Sequence, residues 1–305
     1  MITSVFRKST PINLILVVFL MLVFFLIYQF QDFSWTNSPF LILKKVGLFF
    51  VLIASVFITD FITKRNGLSK DSSYTIFFYF LFVLFFPSIF NNTNLVLSNF
   101  FVLLAIRRLI SMQSLKASKE KIFDASLWIF IASLFHFWCI IFILLVFISI
   151  ILHASRDYRN WILPFIAFFI VGIIFALHAT IFGETLDLNM QTSLKIDYFT
   201  NNYQNLALSI FTTVTLFFVV SIFLTLPHRP LILLTSYKTI ISFLFIGIIV
   251  FVISPNKSSD LLLFTFAPLS IMATAHIEMK QEKLKQEIAL FVLIACSLFA
   301  FFSQL

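Results

Sequence analysis

Asp32, Lys44 and Lys45 have the side-chain types that group transfer at a membrane surface requires. Asp32 follows the first long apolar block, within QFQDFSWTNSP (29–39), and the two lysines lie just ahead of the second block. A carboxylate whose pKa is raised by partial burial can act as a general base toward a hydroxyl acceptor. A lysine ammonium can bind a lipid phosphate as a point charge. The simpler interpretation is a solvated loop acid with two lysines that snorkel to the membrane surface.

Two further residues are candidates for a functional role. Lys257 is the one basic residue of SPNKSSD (254–260), and we predict that it either binds a lipid phosphate or snorkels to the membrane surface. His136 lies in IASLFHFWCI (131–140), inside an almost uninterrupted apolar run from Phe123 to Leu152. One imidazole without a visible partner supports no mechanism, so the simpler interpretation is an interior histidine with satisfied hydrogen bonds. The functional prediction is that His136 lines a cavity.

Membrane helices must position these side chains. The 305 residues are 61% hydrophobic and 11% charged, with 45 Phe, whereas soluble domains are about 45–50% apolar and about 25% charged. The apolar blocks are roughly 17–22 residues long, which is typical of spanning helices and not of a membrane β-barrel. The sequence predicts an all-α polytopic membrane protein of about 10–11 transmembrane helices, forming one integral membrane domain over 1–305. The predicted blocks are 11–30, 46–63, 74–90, 95–110, 122–152, 161–182, 206–226, 238–254, 260–277 and 288–303.

The block at 122–152 is too long for one crossing. As a straight helix it would extend roughly 45 Å, against a hydrocarbon core of about 30 Å. A single crossing with a cytoplasmic N-terminus would leave 12 Lys and Arg residues inside and 9 outside, whereas a hairpin would leave 17 inside and 4 outside. The positive-inside rule therefore predicts a hairpin, with its turn near 134–138.

This topology predicts a multi-pass membrane protein with a cytoplasmic N-terminus. Asp32, His136 and Lys257 would then lie on the outer side, where the acidic loop 183–205 has the length of a lid. The simpler interpretation of this loop is an interfacial helix. The first block follows Arg7 and Lys8, as in a signal peptide, but no small-residue cleavage site follows it, so we expect it to be retained.

The sequence predicts no metal site and no cofactor. The two cysteines lie within apolar blocks without metal-ligand spacing, and no Walker or HExxH motif occurs. The net charge of +8 is spread over short loops, so nucleic acid is not a predicted partner. The predicted partners are membrane lipids.

Three segments carry a resemblance over nearly the whole chain: MITSVFRKSTPIN, LAIRRLISMQS with KIFDASLWIFIASLFHFW, and SPNKSSDLLLFTFAPLSIMATAHIE. They resemble an uncharacterised family of polytopic inner-membrane proteins from Bacteroidota, which brings no assigned activity. In layout, the chain also resembles the membrane glycosyltransferases of the GT-C fold. In that fold a catalytic acid follows the first span, a short-helix hairpin lies in mid-chain, and an external basic residue precedes a Pro-containing span. Asp32, the 122–152 hairpin, and Lys257 with Pro268 hold the matching positions.

Three functional hypotheses follow. The first is an enzyme of envelope biogenesis that transfers a sugar from a polyprenyl-phosphate donor at the outer face, as the GT-C resemblance implies. The second is a non-catalytic subunit or scaffold of an envelope complex, which packs Phe-rich faces against a membrane protein partner. The third is a lipid or solute transporter, which requires a cavity that opens alternately to both sides.

Overall fold

A computed structural model describes residues 2–114, 116–182, 202–255, 258–279 and 283–305. All regular elements in these ranges are helical, which confirms the predicted all-α class. Short 3-10 turns precede or follow several of the helices. The α-helices are α1 (Ile2–Phe6), α2 (Pro11–Gln29), α3 (Pro39–Arg65), α4 (Tyr74–Leu84), α5 (Thr93–Ile110), α6 (Ser118–Phe135), α7 (Ile143–His153), α8 (Arg159–Phe182), α9 (Asn202–Thr225), α10 (Leu231–Ile253), α11 (Leu263–Ile277) and α12 (Lys283–Ser303).

Eight helices in the described ranges are long and apolar enough to cross a membrane, and they correspond to eight of the ten predicted blocks. The block at 74–90 instead forms the 11-residue helix α4 and the 3-10 turn Pro87–Asn91. The block at 122–152 forms two shorter helices and a turn. The protein is therefore a multi-pass membrane protein in which two of the predicted spans are built from short elements.

The short helix α4 lies at the centre of the protein. All of its residues are buried, and α11, which packs against it, is almost completely buried as well. Aromatic rings fill the space where these helices meet α9: the Phe86 and Phe266 rings stack 6.3 Å apart, and the Phe211 ring lies 5.3 Å from that of Phe86. Protein and not lipid surrounds α4. The non-helical backbone at its end and in the following turn is therefore covered by other helices, which is where such backbone is tolerated within a membrane.

The predicted hairpin is present. Helix α6 ends at Phe135, and His136 has an extended backbone (φ −142°, ψ 105°). The 3-10 turn Phe137–Phe142 then leads into α7. The Nζ of Lys119, in the first turn of α6, lies 2.9 Å from Oδ2 of Asp157, which follows α7. The chain therefore returns to the face from which it started. The turn begins at His136, within the predicted range 134–138, and continues to Phe142.

The ends of the helices form two polar faces. The Asp32 face consists of residues 30–38, 85–92, 136, 254–255, 258–262 and 304–305, joined by bonds such as Gln31 Nε2 to the Leu305 carbonyl (2.6 Å). The Lys119 face consists of residues 66–73, 111–114, 116–121, 154–158, 226–230 and 278–279. It is joined by bonds such as Lys70 N–H to Glu278 Oε2 (2.9 Å). Residues 183–201 of the predicted acidic lid lie outside the described residues.

Candidate functional site

Helix α3 brings Lys44 and Lys45 to the Asp32 face. It begins at Pro39, earlier than the predicted block, because Ser38 has an extended backbone and proline suits the first helical position. Both lysines therefore lie in its second turn, where Lys44 is exposed and Lys45 half-buried. The Nζ of Lys45 donates a hydrogen bond to Oδ1 of Asn91. Lys45 also lies within electrostatic range of the Asp32 carboxylate.

Gln29 fixes the position of Asn91. Its buried side-chain amide donates to the Phe90 carbonyl and to Asn91 Oδ1, both at 3.2 Å. The Gln29 carbonyl in turn accepts a hydrogen bond of 3.2 Å from the indole N–H of Trp35. We call Gln29, Asp32, Lys44, Lys45 and Asn91 the Lys45 cluster. It joins the ends of α2, α3 and the turn after α4.

The Lys45 cluster combines a carboxylate with two ammonium groups, so it has groups able to accept a proton and to bind a phosphate. Asp32 is exposed, whereas the predicted role as a base assumes partial burial. Lys45 is an electrostatic neighbour of the Asp32 carboxylate. The sequence alone did not identify this neighbour.

His136 contacts a different part of the Asp32 face. Its Nε2 lies 3.2 Å from the hydroxyl of Ser254, and its ring lies 6.0 Å from that of Phe264. Ser254 is buried, so this bond ties the hairpin turn to the end of α10. The hydrogen bond agrees with the simpler interpretation of a satisfied histidine, and a cavity-lining role stays a prediction. Lys257 lies outside the described residues.

Sequence reasoning missed Asp260, the most deeply buried carboxylate of the Asp32 face among the described residues. It is 8% exposed. The Ser88 hydroxyl donates a hydrogen bond to its Oδ1, and the Asn92 side chain bonds it as well. Tyr28 lies within electrostatic range. The only sequence signal was an acidic residue at the start of an apolar block, in a position where the helix dipole favours negative charge.

In the part of the chain that the structure describes, no three His, Cys, Asp or Glu side chains are grouped closely enough to hold a metal ion. Comparison with curated proteins gave no match, and comparison with solved structures gave none either. A family match covers residues 5–305, which agrees with the predicted likeness to an uncharacterised family over nearly the whole chain. The chain belongs to DUF6427, a family of unknown function.

Proposed function

We propose that the protein is an inner-membrane enzyme of envelope biogenesis that transfers a sugar from a polyprenyl-phosphate donor at the outer face. The observation that supports this proposal is the grouping of Asp32, Lys44 and Lys45 at one face of the protein. The orientation rests on the positive-inside rule. For a chain with this hairpin, the sequence assigns 17 of the 21 Lys and Arg residues to the cytoplasmic side.

In this reaction Asp32 removes the proton from an acceptor hydroxyl. The hydroxyl oxygen then attacks the anomeric carbon of the sugar, and the bond from that carbon to the phosphate oxygen breaks. The electron pair leaves with the lipid phosphate, which gains negative charge. Lys44 and Lys45 stabilise this charge, because fixed cations oppose charge that develops in the transition state. Lys257 is proposed to contribute a third cation.

Replacement of Asp32 by Asn tests the proposal. The variant keeps the side-chain shape and loses the base, so we expect the rate of transfer to fall by about 10²–10⁴-fold. Mass spectrometry of envelope glycans in cells that express the variant at normal levels measures the loss. Asp124→Asn is the matched control, because Asp124 pairs with Arg108 on the opposite face. Unchanged glycans in the Asp32→Asn cells would refute the proposal.

A non-catalytic subunit is the second candidate, and the position of α8 favours it. This helix packs on α6 through Ala167 and Val171, which contact Phe130. Much of the remaining surface of α8 consists of exposed apolar side chains, including Phe165 and Phe169. If the protein is a non-catalytic subunit whose partner helix packs on this surface, we expect the Asp32→Asn variant to remain functional. Phe165→Ala with Phe169→Ala would instead release a partner that co-purifies in stoichiometric amount.

A further inference from the structure

A cavity of about 750 Å³ lies at the base of the hairpin, on the Lys119 face. The first turn of α6 forms one wall, and the last turn of α7 with the connection to α8 forms the others. Cavities of 300–1,000 Å³ are typical of small-molecule sites. This cavity lies on the opposite face from the Lys45 cluster, so an inference about it is independent of the proposed glycosyl transfer.

The charged residues of the lining balance one another. Lys119 and Arg156 contribute two positive charges, and Glu120 and Asp157 contribute two negative charges. Lys119 and Asp157 form the 2.9 Å ion pair, and the hydrogen bond from Lys119 lowers the pKa of Asp157. A lining with no net charge does not favour a ligand that carries only negative charge. A zwitterionic ligand can pair with the basic and with the acidic side chains of the lining.

Two polar atoms of the lining residues lack a hydrogen-bond donor. Asn160 is 4% exposed, and its amide N–H donates to the Ala154 carbonyl at 2.8 Å, which leaves Oδ1 without a partner. His153 Nδ1 lies 3.2 Å from the Ser149 carbonyl. Because that carbonyl can only accept, the neutral imidazole presents Nε2 as an acceptor, also without a partner. Both atoms are buried, so a donor that reaches them must displace neighbouring side chains.

Residues around the cavity are typical of a membrane surface. Tyr158 and Trp161 are exposed where α8 begins, and exposed aromatic rings are enriched at the level of lipid headgroups. The exposed Ile151 lines the cavity beside the charged residues. A ligand with a charged headgroup and apolar chains therefore matches this location better than a ligand from the aqueous phase.

We propose that this cavity binds a phospholipid with an ethanolamine headgroup. The phosphate pairs with Lys119 and Arg156, and the primary ammonium donates to Glu120 and Asp157. Once the side chains that cover Asn160 Oδ1 move, the same ammonium can also donate to that oxygen. A choline headgroup has no N–H to donate, and the described lining contains no Phe, Tyr or Trp ring for a cation–π contact. Phosphatidylethanolamine is therefore preferred over phosphatidylcholine.

Native mass spectrometry of the purified, delipidated full chain tests the preference. The protein is mixed with phosphatidylethanolamine, phosphatidylcholine and phosphatidylglycerol that carry identical acyl chains. We expect the ethanolamine lipid to bind about tenfold tighter than the choline lipid, the effect of about one charge-assisted hydrogen bond. Equal binding of these two lipids, or tighter binding of the glycerol lipid, would overturn the proposal. Soluble phosphoethanolamine is added in competition. Its displacement of the lipid at micromolar concentration would identify a soluble ligand and would equally overturn the assignment.

Variants locate the bound lipid. Asp157→Asn leaves the lining with a net positive charge, so we expect the preference to shift from the ethanolamine lipid to phosphatidylglycerol. Glu120→Gln changes an exposed side chain and serves as a second variant, with the same expected shift. Asp124→Asn is the matched control, because its 2.9 Å ion pair with Arg108 lies on the same face outside the cavity lining. A preference that survives both lining variants, or that Asp124→Asn also abolishes, would overturn the proposal.

Discussion

Lys119 and Asp157 form an ion pair of 2.9 Å, although α6, the hairpin turn and α7 separate them in the chain. The pair closes the base of the hairpin, and the His136–Ser254 hydrogen bond holds its turn at the other face. A continuous rod over 122–152 is incompatible with these two contacts. If residues 122–152 crossed the membrane once, every later helix would cross in one direction. Because they form a hairpin, each of those helices crosses in the opposite direction.

Single cysteines placed at Ser118 and Ser155 test this topology. We expect a membrane-impermeant maleimide to label both from the same side of the membrane, because the two residues lie on the two sides of the hairpin base. A cysteine at Asn91 is the control, and we expect it to be labelled only from the other side. Replacement of the native Cys139 and Cys296 by Ala removes background. Labelling of positions 118 and 155 from different sides would contradict the hairpin.

Much of this fold could be predicted from the sequence because the bilayer restricts the possible structures. Spanning backbone must satisfy its own hydrogen bonds, so apolar blocks of the right length become helices. The hairpin followed from the distribution of charges around a block too long for one crossing. The start of α3 was predicted too late, at 46 and not at Pro39. The predicted block began after the charged Lys44 and Lys45, whereas the extended Ser38 and Pro39 begin the helix before them.

The environment of the candidate site was less predictable. The hydrogen-bond partner of Lys45 is Asn91, which lies 46 positions away in the chain. Asp260 shows the same limit, because its donor Ser88 is 172 positions away. Periodicity and composition describe local structure, whereas a buried polar pair depends on which helices become neighbours.

Gly247 permits close approach of α10 to α11. A Cβ at this position would lie 3.2 Å from Cγ2 of Thr265 and 3.3 Å from the carbonyl oxygen of Phe264. Because that oxygen belongs to the backbone, the helices must separate to admit a methyl group. Overpacking costs about 1–3 kcal/mol and the helix propensity of alanine offsets about 1 kcal/mol, so we expect Gly247→Ala to lower the free energy of unfolding by up to about 2 kcal/mol. Thermal unfolding in detergent measures the change.

Gly172 provides the control for Gly247. It lies within α8, and a Cβ there would meet nothing within 4 Å. Alanine is the better helix former by about 1 kcal/mol, so we expect Gly172→Ala to be neutral or stabilising. Equal changes in unfolding free energy for the two substitutions would show that helix propensity determines both changes and that the α10–α11 contact has no effect.

Tyr79 and Asn99 form a buried polar pair between α4 and α5. The Asn99 amide N–H donates to the Tyr79 hydroxyl at 3.0 Å, and neither residue is exposed. We expect Tyr79→Phe to cost about 1–3 kcal/mol of unfolding free energy, because it leaves the amide without a partner. Asn99→Leu in the Tyr79→Phe background removes that unpaired group. A double-mutant cycle should give a coupling energy of about 1 kcal/mol, and additive effects would show that the bond contributes nothing.

Ser88 and Asp260 join two of the 3-10 turns of the Asp32 face, Pro87–Asn91 and Ser259–Leu262. Ser88→Ala removes a donor from a carboxylate that stays buried, so we expect a loss of about 1–3 kcal/mol in unfolding free energy. Ser209→Ala is the control, because the exposed Ser209 hydroxyl donates to the backbone carbonyls of Asn205 and Leu206 in its own helix. We expect it to change stability by about 0.5 kcal/mol or less. Thermal unfolding of both variants in the same detergent makes the comparison. Equal stabilities would show that the remaining donors, the Asn92 side chain and the Asp260 backbone N–H, satisfy the carboxylate.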